Sequence, residues 1–321
     1  MAKGQIAKKG NSNLRPIIFS LEPAPPFSLE LTVWALRRRP DNAVDRWDGE
    51  TYRRALPIAG EFAEVSVTQT GRSEAPRLQV TVVGARRVPG VESLVTVALN
   101  RMLGLQACLS GFYRIAETDG QLGLLAQRFR GLKPPRFPSV FEAVANGIAC
   151  QQITLTLGIR VLNSLAETYG VAIEGSALHA FPQPPDLARR DAEELKRMKL
   201  SRQKAVALTE LSYAIVERGL DLEALATLDD DTAIERLLHL RGIGRWTAEY
   251  ILLRGLGRLH IFPGDDVGAR NNLQRWLGLK KPLDYEGTHR LLAKWRPYAG
   301  FIYFHLLLDG LAEAGVLTSP H

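Results

Sequence analysis

The sequence predicts an α+β fold, with an N-terminal α/β domain built on an antiparallel sheet and two all-helical subdomains after it. Its 321 residues exceed the roughly 100–200 that one domain usually takes. Strand-like alternation is confined to the first third of the chain, and capped amphipathic helices fill the rest. We expect a basic disordered tail over 1–21, the α/β domain over 22–112, and helical subdomains over 113–228 and 229–321. The first part of the subdomain over 113–228 is free to pack with the C-terminal subdomain over 229–321.

Three segments of the N-terminal domain alternate apolar and polar residues, which is typical of half-buried strands. They span residues 27–36, 61–70 and 77–85, and we expect them to form one sheet. Residues 91–105 carry apolar side chains at helical spacing, so a helix completes the predicted α/β unit. No acidic residue precedes Glu22, which fits either a solvated basic terminus or a segment that contacts a polyanion.

Caps mark the helix boundaries in the remaining two thirds of the chain. Ser139 followed by Glu142 forms a capping box and predicts a helix over 140–150. Ser201 and Gly219 mark the start and the end of another helix. The further helices that the spacing predicts cover residues 154–169, 191–198, 230–240, 246–254, 267–278 and 288–315.

Composition limits the classes of function. Lys and Arg number 41 against 34 Asp and Glu, so the formal net charge is +7 and the isoelectric point is about 9.5. A basic chain keeps nucleic acid among the candidate partners, although charge alone does not identify one. Cys108 and Cys150 are too few for a disulfide framework, a four-cysteine zinc site or an iron–sulfur cluster, and the six histidines lack paired metal-ligand spacing. We expect a reducing compartment, no metal and no membrane span.

Two of the predicted helices are joined by a tight glycine turn. Gly242 and Gly244 allow the positive φ angles and close backbone approach that a hairpin requires, so residues 230–254 predict a helix-hairpin-helix motif. Their amide groups lie beside the N-terminus of the second helix, where an anion such as a DNA phosphate is favoured. A dinucleotide-binding loop would need a preceding strand and a third glycine, and Thr247 stands at that position. A plain hairpin of two helices stays open as the alternative.

Two adjacent carboxylates, Asp265 and Asp266, follow the Phe-Pro-Gly turn after the hairpin. Either aspartate can cap the helix predicted over 267–278, because the cap side chain accepts a hydrogen bond from the first turn. Residue pattern alone favours capping for both.

The segment 237–266 resembles the hairpin and Gly/Pro-then-Asp signature of the helix-hairpin-helix DNA glycosylase superfamily, particularly its 3-methyladenine DNA glycosylase II branch. The resemblance runs from about residue 27 to 315, is most specific over 238–270 and is weak before 110. Arg241 stands where relatives usually carry proline, and adds a positive charge beside the expected phosphate. The matching positions therefore imply DNA contacts by a set of hairpin residues: Arg241, Gly242, Gly244, Arg245 and Thr247.

The resemblance implies that Asp266 is the catalytic residue, with Asp265 left to cap the helix. Breaking a base–sugar bond passes through an oxocarbenium-like sugar, which a nearby carboxylate stabilises while it orients the attacking water. Members that also nick the strand use a lysine on the second hairpin helix to form a Schiff base. Trp246 occupies that position here, so we expect base release without lyase activity.

The resemblance also implies a wedge and a base pocket, since the target nucleotide must leave the helix. Gln152 is the candidate wedge, and the alternative is that Gln151 and Gln152 only satisfy backbone groups at a helix break. Trp246 and Tyr250 match pocket aromatics, with core packing as their alternative. Two further pocket aromatics are replaced by Val267 and Leu307. Four residues near the C-terminal wall are candidates to compensate in part, with core packing as the more usual role of aromatics at this density: Phe301, Tyr303, Phe304 and Trp295. His305 is expected to be a packing histidine.

The function that follows is a monomeric, monofunctional DNA glycosylase that excises alkylated purines of the 3-methyladenine or 7-methylguanine type from double-stranded DNA. No cofactor is expected beyond a monovalent cation that the resemblance permits at the hairpin carbonyls. Such an enzyme would be intracellular, and cytoplasmic with the nucleoid in a bacterium. The alternatives are a glycosylase for neutral oxidised or deaminated bases, and a non-catalytic helix-hairpin-helix protein that only binds DNA.

Overall fold

The computed structural model describes residues 16–85 and 88–317, and the N-terminal part contains a five-stranded antiparallel sheet. Its strands are β1 (Ile17–Leu21), β2 (Arg46–Trp47), β3 (Thr51–Ile58), β4 (Glu61–Gln69) and β5 (Leu78–Gly84). The strand order is β1-β5-β4-β3-β2, so the first two strands of the chain form the two edges.

The predicted strands over 61–70 and 77–85 are confirmed as β4 and β5. β3 and β4 form a hairpin because Ala59 and Gly60 both adopt left-handed conformations, with φ angles of 48° and 87°. The predicted helix that follows the sheet is confirmed as α2 (Val91–Leu103), whose apolar face joins the core of the sheet.

The strand predicted over 27–36 is wrong, because Leu29–Arg37 forms helix α1. Ser28 caps this helix by accepting a hydrogen bond from the Leu31 amide at 3.3 Å. Residues from opposite sides of α1 join two different cores, that of the sheet and that of the C-terminal helices. A helix buried on all sides has no amphipathic period, so its sequence is easily taken for a strand.

Three strands lie where the sequence predicted none. β1 falls within the predicted tail 1–21, so the prediction for its last five residues is wrong, and residues 1–15 lie outside the described residues. β2 is only two residues long. β3 was missed because it contains arginines, of which Arg54 is buried and forms ion pairs at 2.6 Å with both Asp45 and Glu142.

In the described residues after the sheet, all regular secondary structure is helical apart from one isolated bridge between Ala172 and His179. They are α3 (Ser110–Thr118), α4 (Gly120–Arg128), α5 (Val140–Cys150), α6 (Leu155–Tyr169), α7 (Pro184–Leu187), α8 (Ala192–Lys196), α9 (Arg202–Arg218), α10 (Asp230–Leu238), α11 (Arg245–Arg254), α12 (Val267–Trp276), α13 (Tyr285–Leu292) and α14 (Ala299–Glu313). The predicted caps Ser139 and Ser201 and the predicted stop Gly219 are confirmed at α5 and α9.

The single long helix predicted over 288–315 is wrong. It is divided into α13, a short 3₁₀ turn over Ala293–Trp295, and α14. Pro297 separates them, because proline lacks a backbone donor and disfavours helical conformation in the residue before it. The break directs α14 back beneath α12.

The helices share two apolar cores. One is formed by α5, α6, α9 and the hairpin helices α10 and α11. The other joins α3 and α4 to α12 and α14. The predicted boundary at residue 229 therefore does not separate the cores, since the hairpin packs with helices before it and α3 and α4 pack with the last subdomain, as the sequence allowed.

Candidate active site

A cleft of roughly 1250 Å³ lies where the N-termini of α11 and α12 face the C-terminus of α1 and the turn between α5 and α6. Most of the predicted site residues meet here, although they come from distant parts of the sequence. The predicted residues that line it are Gln151, Gln152, Gly242, Gly244, Arg245, Trp246, Thr247, Tyr250, Asp265, Asp266, Val267, Tyr303 and Leu307.

Asp266 is both the N-cap of α12 and part of the cleft wall. Its Oδ1 accepts a hydrogen bond from the Ala269 amide at 2.9 Å. Its Oδ2 accepts bonds from Trp246 Nε1 and from the Tyr303 hydroxyl, each at 3.2 Å. One oxygen is therefore held by the helix and the other by two aromatic donors, so the carboxylate has a fixed orientation in the cleft.

Asp265 does not cap α12, so that prediction is wrong. Its Oδ2 instead accepts a hydrogen bond from Arg245 Nε at 2.7 Å and lies 2.6 Å from Nη2 in the same ion pair. The Arg245 guanidinium lies 3.8 Å from the centroid of the Tyr285 ring. Arg245, predicted to contact DNA, is thus held against the loop that carries the two aspartates.

The two predicted pocket aromatics stack on each other on one face of α11. The rings of Trp246 and Tyr250 have centroids 5.5 Å apart and an interplanar angle of 28°. Trp246 is half-buried, whereas Tyr250 is only 2% exposed and also joins the core of the sheet. Burial raises the pKa of Tyr250, so its hydroxyl is neutral. Pocket lining and core packing are therefore not exclusive for Tyr250.

The C-terminal wall supplies one aromatic to the cleft. Tyr303 lines it, but the other three candidates, Phe301, Phe304 and Trp295, are at most 1% exposed and belong to the core. These three therefore do not compensate for the missing pocket aromatics, and the alternative that they pack in the core is confirmed. Val267 and Leu307 do line the cleft.

His305 is a packing histidine, as expected. Its ring contacts the rings of Phe112 and Phe301, and its Nδ1 lies 3.0 Å from the Phe301 carbonyl oxygen. Burial lowers its pKa to about 4, so the imidazole is neutral at physiological pH.

The hairpin presents a helix N-terminus without a side-chain cap. Gly242 has a φ of 78°, and Gly244 is the N-cap of α11 with no side chain bonded to its first turn. Arg241 is exposed and pairs with Glu210 at 3.0 Å. Thr247 is only 1% exposed, and its Oγ1 accepts a hydrogen bond from Gln151, so its contact with DNA stays a prediction.

The two glutamines in the turn between α5 and α6 have different environments. Gln151 Nε2 donates to the Gly242 carbonyl at 2.7 Å and to Thr247 Oγ1 at 2.8 Å, which ties the turn to the hairpin. Lys204 Nζ donates to the Gln151 carbonyl at 2.6 Å and braces the turn from behind. Gln152 is exposed at the cleft, with a φ of 53° that side chains rarely adopt.

Sequence reasoning missed Arg38, which lies in the cleft beside Tyr250. Arg38 follows α1 with a φ of 64°, and its Nη1 donates to the Tyr250 hydroxyl at 2.9 Å. The only local signal is the run Arg37-Arg38-Arg39, which is usual for a solvated helix end. The tertiary position of α1 decides its role.

Glu249 was also missed. It is 4% exposed beneath the aspartate loop, where it accepts hydrogen bonds from the Tyr285 hydroxyl at 2.6 Å and the Gly264 amide at 3.1 Å. Burial raises the pKa of this carboxyl. Glu249 therefore supports the loop from below, where no motif would indicate it.

Neither a membrane span nor a metal cluster is found among the described residues. No described helix is long and apolar enough to cross a membrane. In the same part of the chain, no group of three or more histidine, cysteine or acidic side chains is placed to hold a metal ion. The monovalent cation expected at the hairpin carbonyls stays a prediction.

Similarity to known proteins agrees with this geometry. The family described as HhH-GPD superfamily base excision DNA repair protein matches residues 145–297, which include the hairpin and Asp266. A DNA-3-methyladenine glycosylase of Bacillus subtilis is 28% identical over 62% of this chain and 66% of its own length. The solved 3-methyladenine DNA glycosylase from Archaeoglobus fulgidus is 28% identical, with a TM-score of 0.76 over 90% of this chain and 97% of that one.

Several proteins of the same fold have been solved with DNA. The Schizosaccharomyces pombe 3-methyladenine DNA glycosylase in complex with abasic DNA has a TM-score of 0.53 at 21% identity, over 65% of this chain and 98% of that one. The family match agrees with two features of the structure. One is the N-terminal sheet followed by helices, and the other is the uncapped hairpin beside an aspartate. Residues 145–297 therefore belong to the HhH-GPD superfamily of base excision DNA repair proteins.

Proposed function

We propose that this protein is a monofunctional DNA glycosylase that hydrolyses the N-glycosidic bond of an alkylated purine. The observation that carries the proposal is the position of Asp266, whose Oδ2 is held by Trp246 and Tyr303 at the wall of a cleft beside the hairpin. The names of the B. subtilis and A. fulgidus relatives, both 3-methyladenine DNA glycosylases, support the substrate class.

Asp266 acts on the sugar. As the bond between C1′ and the base nitrogen breaks, its electron pair stays with the base and positive charge develops on the sugar. The carboxylate stabilises that charge and orients a water, whose oxygen bonds to C1′ and whose proton passes to the carboxylate and then to solvent. An N3- or N7-alkylated purine carries positive charge, so it departs as a neutral base without an acid catalyst.

The rest of the cleft rim positions the nucleotide. The uncapped N-terminus of α11 at Gly244 binds a backbone phosphate, and Arg241 and Arg245 add positive charge beside it. Gln152 fills the gap that the flipped nucleotide leaves, because its exposed side chain stands at the tip of a turn braced by Gln151. The stacked Trp246 and Tyr250 offer electron-rich rings to a cationic base.

The reaction ends at the abasic site. A lyase forms an imine between a lysine and the sugar, but no lysine lines the cleft among the described residues. Lys204 lies behind the turn between α5 and α6, and its Nζ donates hydrogen bonds to the carbonyl oxygens of Ala149 and Gln151. We expect no covalent complex on borohydride treatment and no strand nicking, with a bifunctional glycosylase as the positive control.

Base release from duplex DNA treated with a methylating agent tests the function. The wild type is expected to release methylated purines, identified chromatographically, under single-turnover conditions. Binding of the duplex without release of any base would contradict the proposal and favour the DNA-binding alternative. Release confined to oxidised or deaminated bases from a defined panel would favour the neutral-lesion alternative.

A further inference from the structure

The Arg38 guanidinium is a buried positive charge at the candidate base pocket. Arg38 is 4% exposed, yet it lines the cleft together with Tyr250 and Cys150. It adopts a φ of 64°, a left-handed conformation that is strained for a residue with a side chain. The chain thus holds an unfavourable backbone conformation at the point where this side chain enters the cleft.

None of the side-chain partners that the structure describes for Arg38 is a carboxylate. Its Nη1 donates to the Tyr250 hydroxyl at 2.9 Å and lies 4.0 Å from Cys150 Sγ, and its Nη2 donates to Asn146 Oδ1 at 2.5 Å. Its Nε has no acceptor in the part of the chain that the structure describes. No carboxylate of the described residues pairs with it within 4.0 Å.

Two other buried arginines differ from Arg38, one in its counter-ions and the other in its position away from the cleft. Arg54 is neutralised by Asp45 and Glu142, each at 2.6 Å. Arg254 does not line the cleft, and donates to backbone carbonyls of α1. A buried charge without a counter-ion is costly, so one that faces a cleft is a candidate for ligand recognition.

A guanidinium only donates hydrogen bonds, so it recognises acceptors. Purines differ in this respect at position 6, where guanine and hypoxanthine carry an acceptor oxygen and adenine carries a donor amino group. The 3-methyladenine and 7-methylguanine nucleotides both carry positive charge, so Asp266 and the aromatic rings act on both. The group at position 6 is what Arg38 can distinguish.

We propose that Arg38 is a specificity-determining residue that favours 6-oxopurines over 6-aminopurines. This role rests on the proposed glycosylase function and defines the preferred class of substrate. A 6-oxygen accepts a charge-assisted hydrogen bond, and that bond strengthens as the ring loses its positive charge on departure. A 6-amino group instead places a donor against the guanidinium, in addition to the repulsion between two cations.

The test measures two products in one reaction. DNA methylated with dimethyl sulfate contains both 7-methylguanine and 3-methyladenine, and the rate of release of each is measured for the wild type and Arg38→Gln. Because loss of a hydrogen bond to a charged group typically corresponds to about 10- to 100-fold, the ratio of 7-methylguanine to 3-methyladenine release should fall by that factor. Partial unfolding lowers both rates equally and leaves the ratio unchanged.

Arg39→Gln is the matched control, since Arg39 is the next residue, also lines the cleft and is only half-buried. It should leave the ratio unchanged. An Arg38→Gln ratio equal to that of the wild type, or the same fall in both variants, would overturn the role of Arg38 while the glycosylase function stands. A wild type that releases 3-methyladenine alone would overturn it too, whereas release of neither base would overturn both proposals.

Discussion

Two helix N-termini meet in this cleft, and they are opposite in charge. α11 begins at Gly244 with no side-chain cap, so its first amide groups and helix dipole favour an anion. α12 begins at Asp266, whose carboxylate occupies the same kind of N-terminus and leaves a second oxygen facing the cleft. The cap residue alone therefore makes one end suited to a phosphate and the other to a cationic sugar, and we infer that binding and chemistry are divided between them.

The largest effect is expected at the capped end. Asp266→Asn should slow base release by about 10²–10³-fold, because the charge that stabilises the sugar is lost. DNA affinity should be nearly unchanged, because asparagine caps helices as well as aspartate does. The melting temperature should fall slightly, because the amide nitrogen of asparagine cannot accept the hydrogen bond from Trp246 Nε1. Single-turnover kinetics, a binding titration and a thermal melt check this.

Asp284→Asn is the matched control for that variant. Asp284 caps α13 by accepting the Gly287 amide, and it is not among the residues that line the cleft. It should retain wild-type base release. Near-normal turnover by Asp266→Asn would contradict the catalytic assignment, as would an equal loss in Asp284→Asn.

The next effect is expected at the uncapped end. Gly242→Ala places a side chain at a strained φ of 78°, with its Cβ only 3.0 Å from Ala207 Cβ, so the hairpin or α9 must move slightly. We expect about tenfold weaker DNA binding and about 1 kcal/mol lower stability. Gly278→Ala, at a φ of 64° with open space around the Cβ, should show the stability loss alone. Wild-type affinity in Gly242→Ala, measured by fluorescence anisotropy, would exclude the hairpin as the phosphate site.

A similar effect is expected at the turn between α5 and α6, which carries Gln152 and faces the N-termini of α11 and α12. Gln152→Ala should slow base release about tenfold, because the gap in the stacked duplex is no longer filled. The loss should shrink when the lesion lies opposite an abasic site, where no base pair has to be broken. Lys199→Ala, at another positive φ of 65°, is the control. Equal losses on both duplexes would argue against a wedge.

The smallest effect is expected at the ion pair between Asp265 and Arg245, which joins the N-terminal regions of α12 and α11. Asp265→Asn breaks the exposed ion pair with Arg245, which costs less than about 1 kcal/mol. Release of Arg245 should strengthen DNA binding a few-fold and steepen its dependence on salt, since one more cation reaches the phosphates. Binding titrations at several salt concentrations measure both. A shallower slope would mean that Arg245 needs Asp265 to contact DNA.

The sequence predicted those parts of the site that local signals encode. Gly242, Gly244 and Asp266 lie in a continuous segment whose turns and caps follow from residue type, and the family resemblance added the chemistry of the aspartate. Even there, a pattern could not tell which of two adjacent aspartates caps the helix, because the answer depends on the partner that Arg245 supplies to Asp265.

The parts that it missed depend on packing between distant segments. α1 was taken for a strand because it is buried on both sides, and with it Arg38 escaped notice. Glu249, which no motif indicates, lies 3.1 Å from the Gly264 amide of the aspartate loop. Tyr303 was a candidate only as a pocket aromatic, and its hydrogen bond to Asp266 at 3.2 Å depends on how α14 packs against α12. Phe301 and Phe304 lie on α14, the helix that also carries Tyr303, but their side chains pack into the core.

Single-turnover base release over a range of enzyme concentrations tests the division between the two helix ends most directly. It separates the half-saturating concentration, which reports DNA binding, from the saturated rate, which reports the chemistry. Gly242→Ala should raise the half-saturating concentration and keep the saturated rate, and Asp266→Asn should lower the saturated rate and keep the half-saturating concentration. A change in the same parameter for both variants would contradict the account.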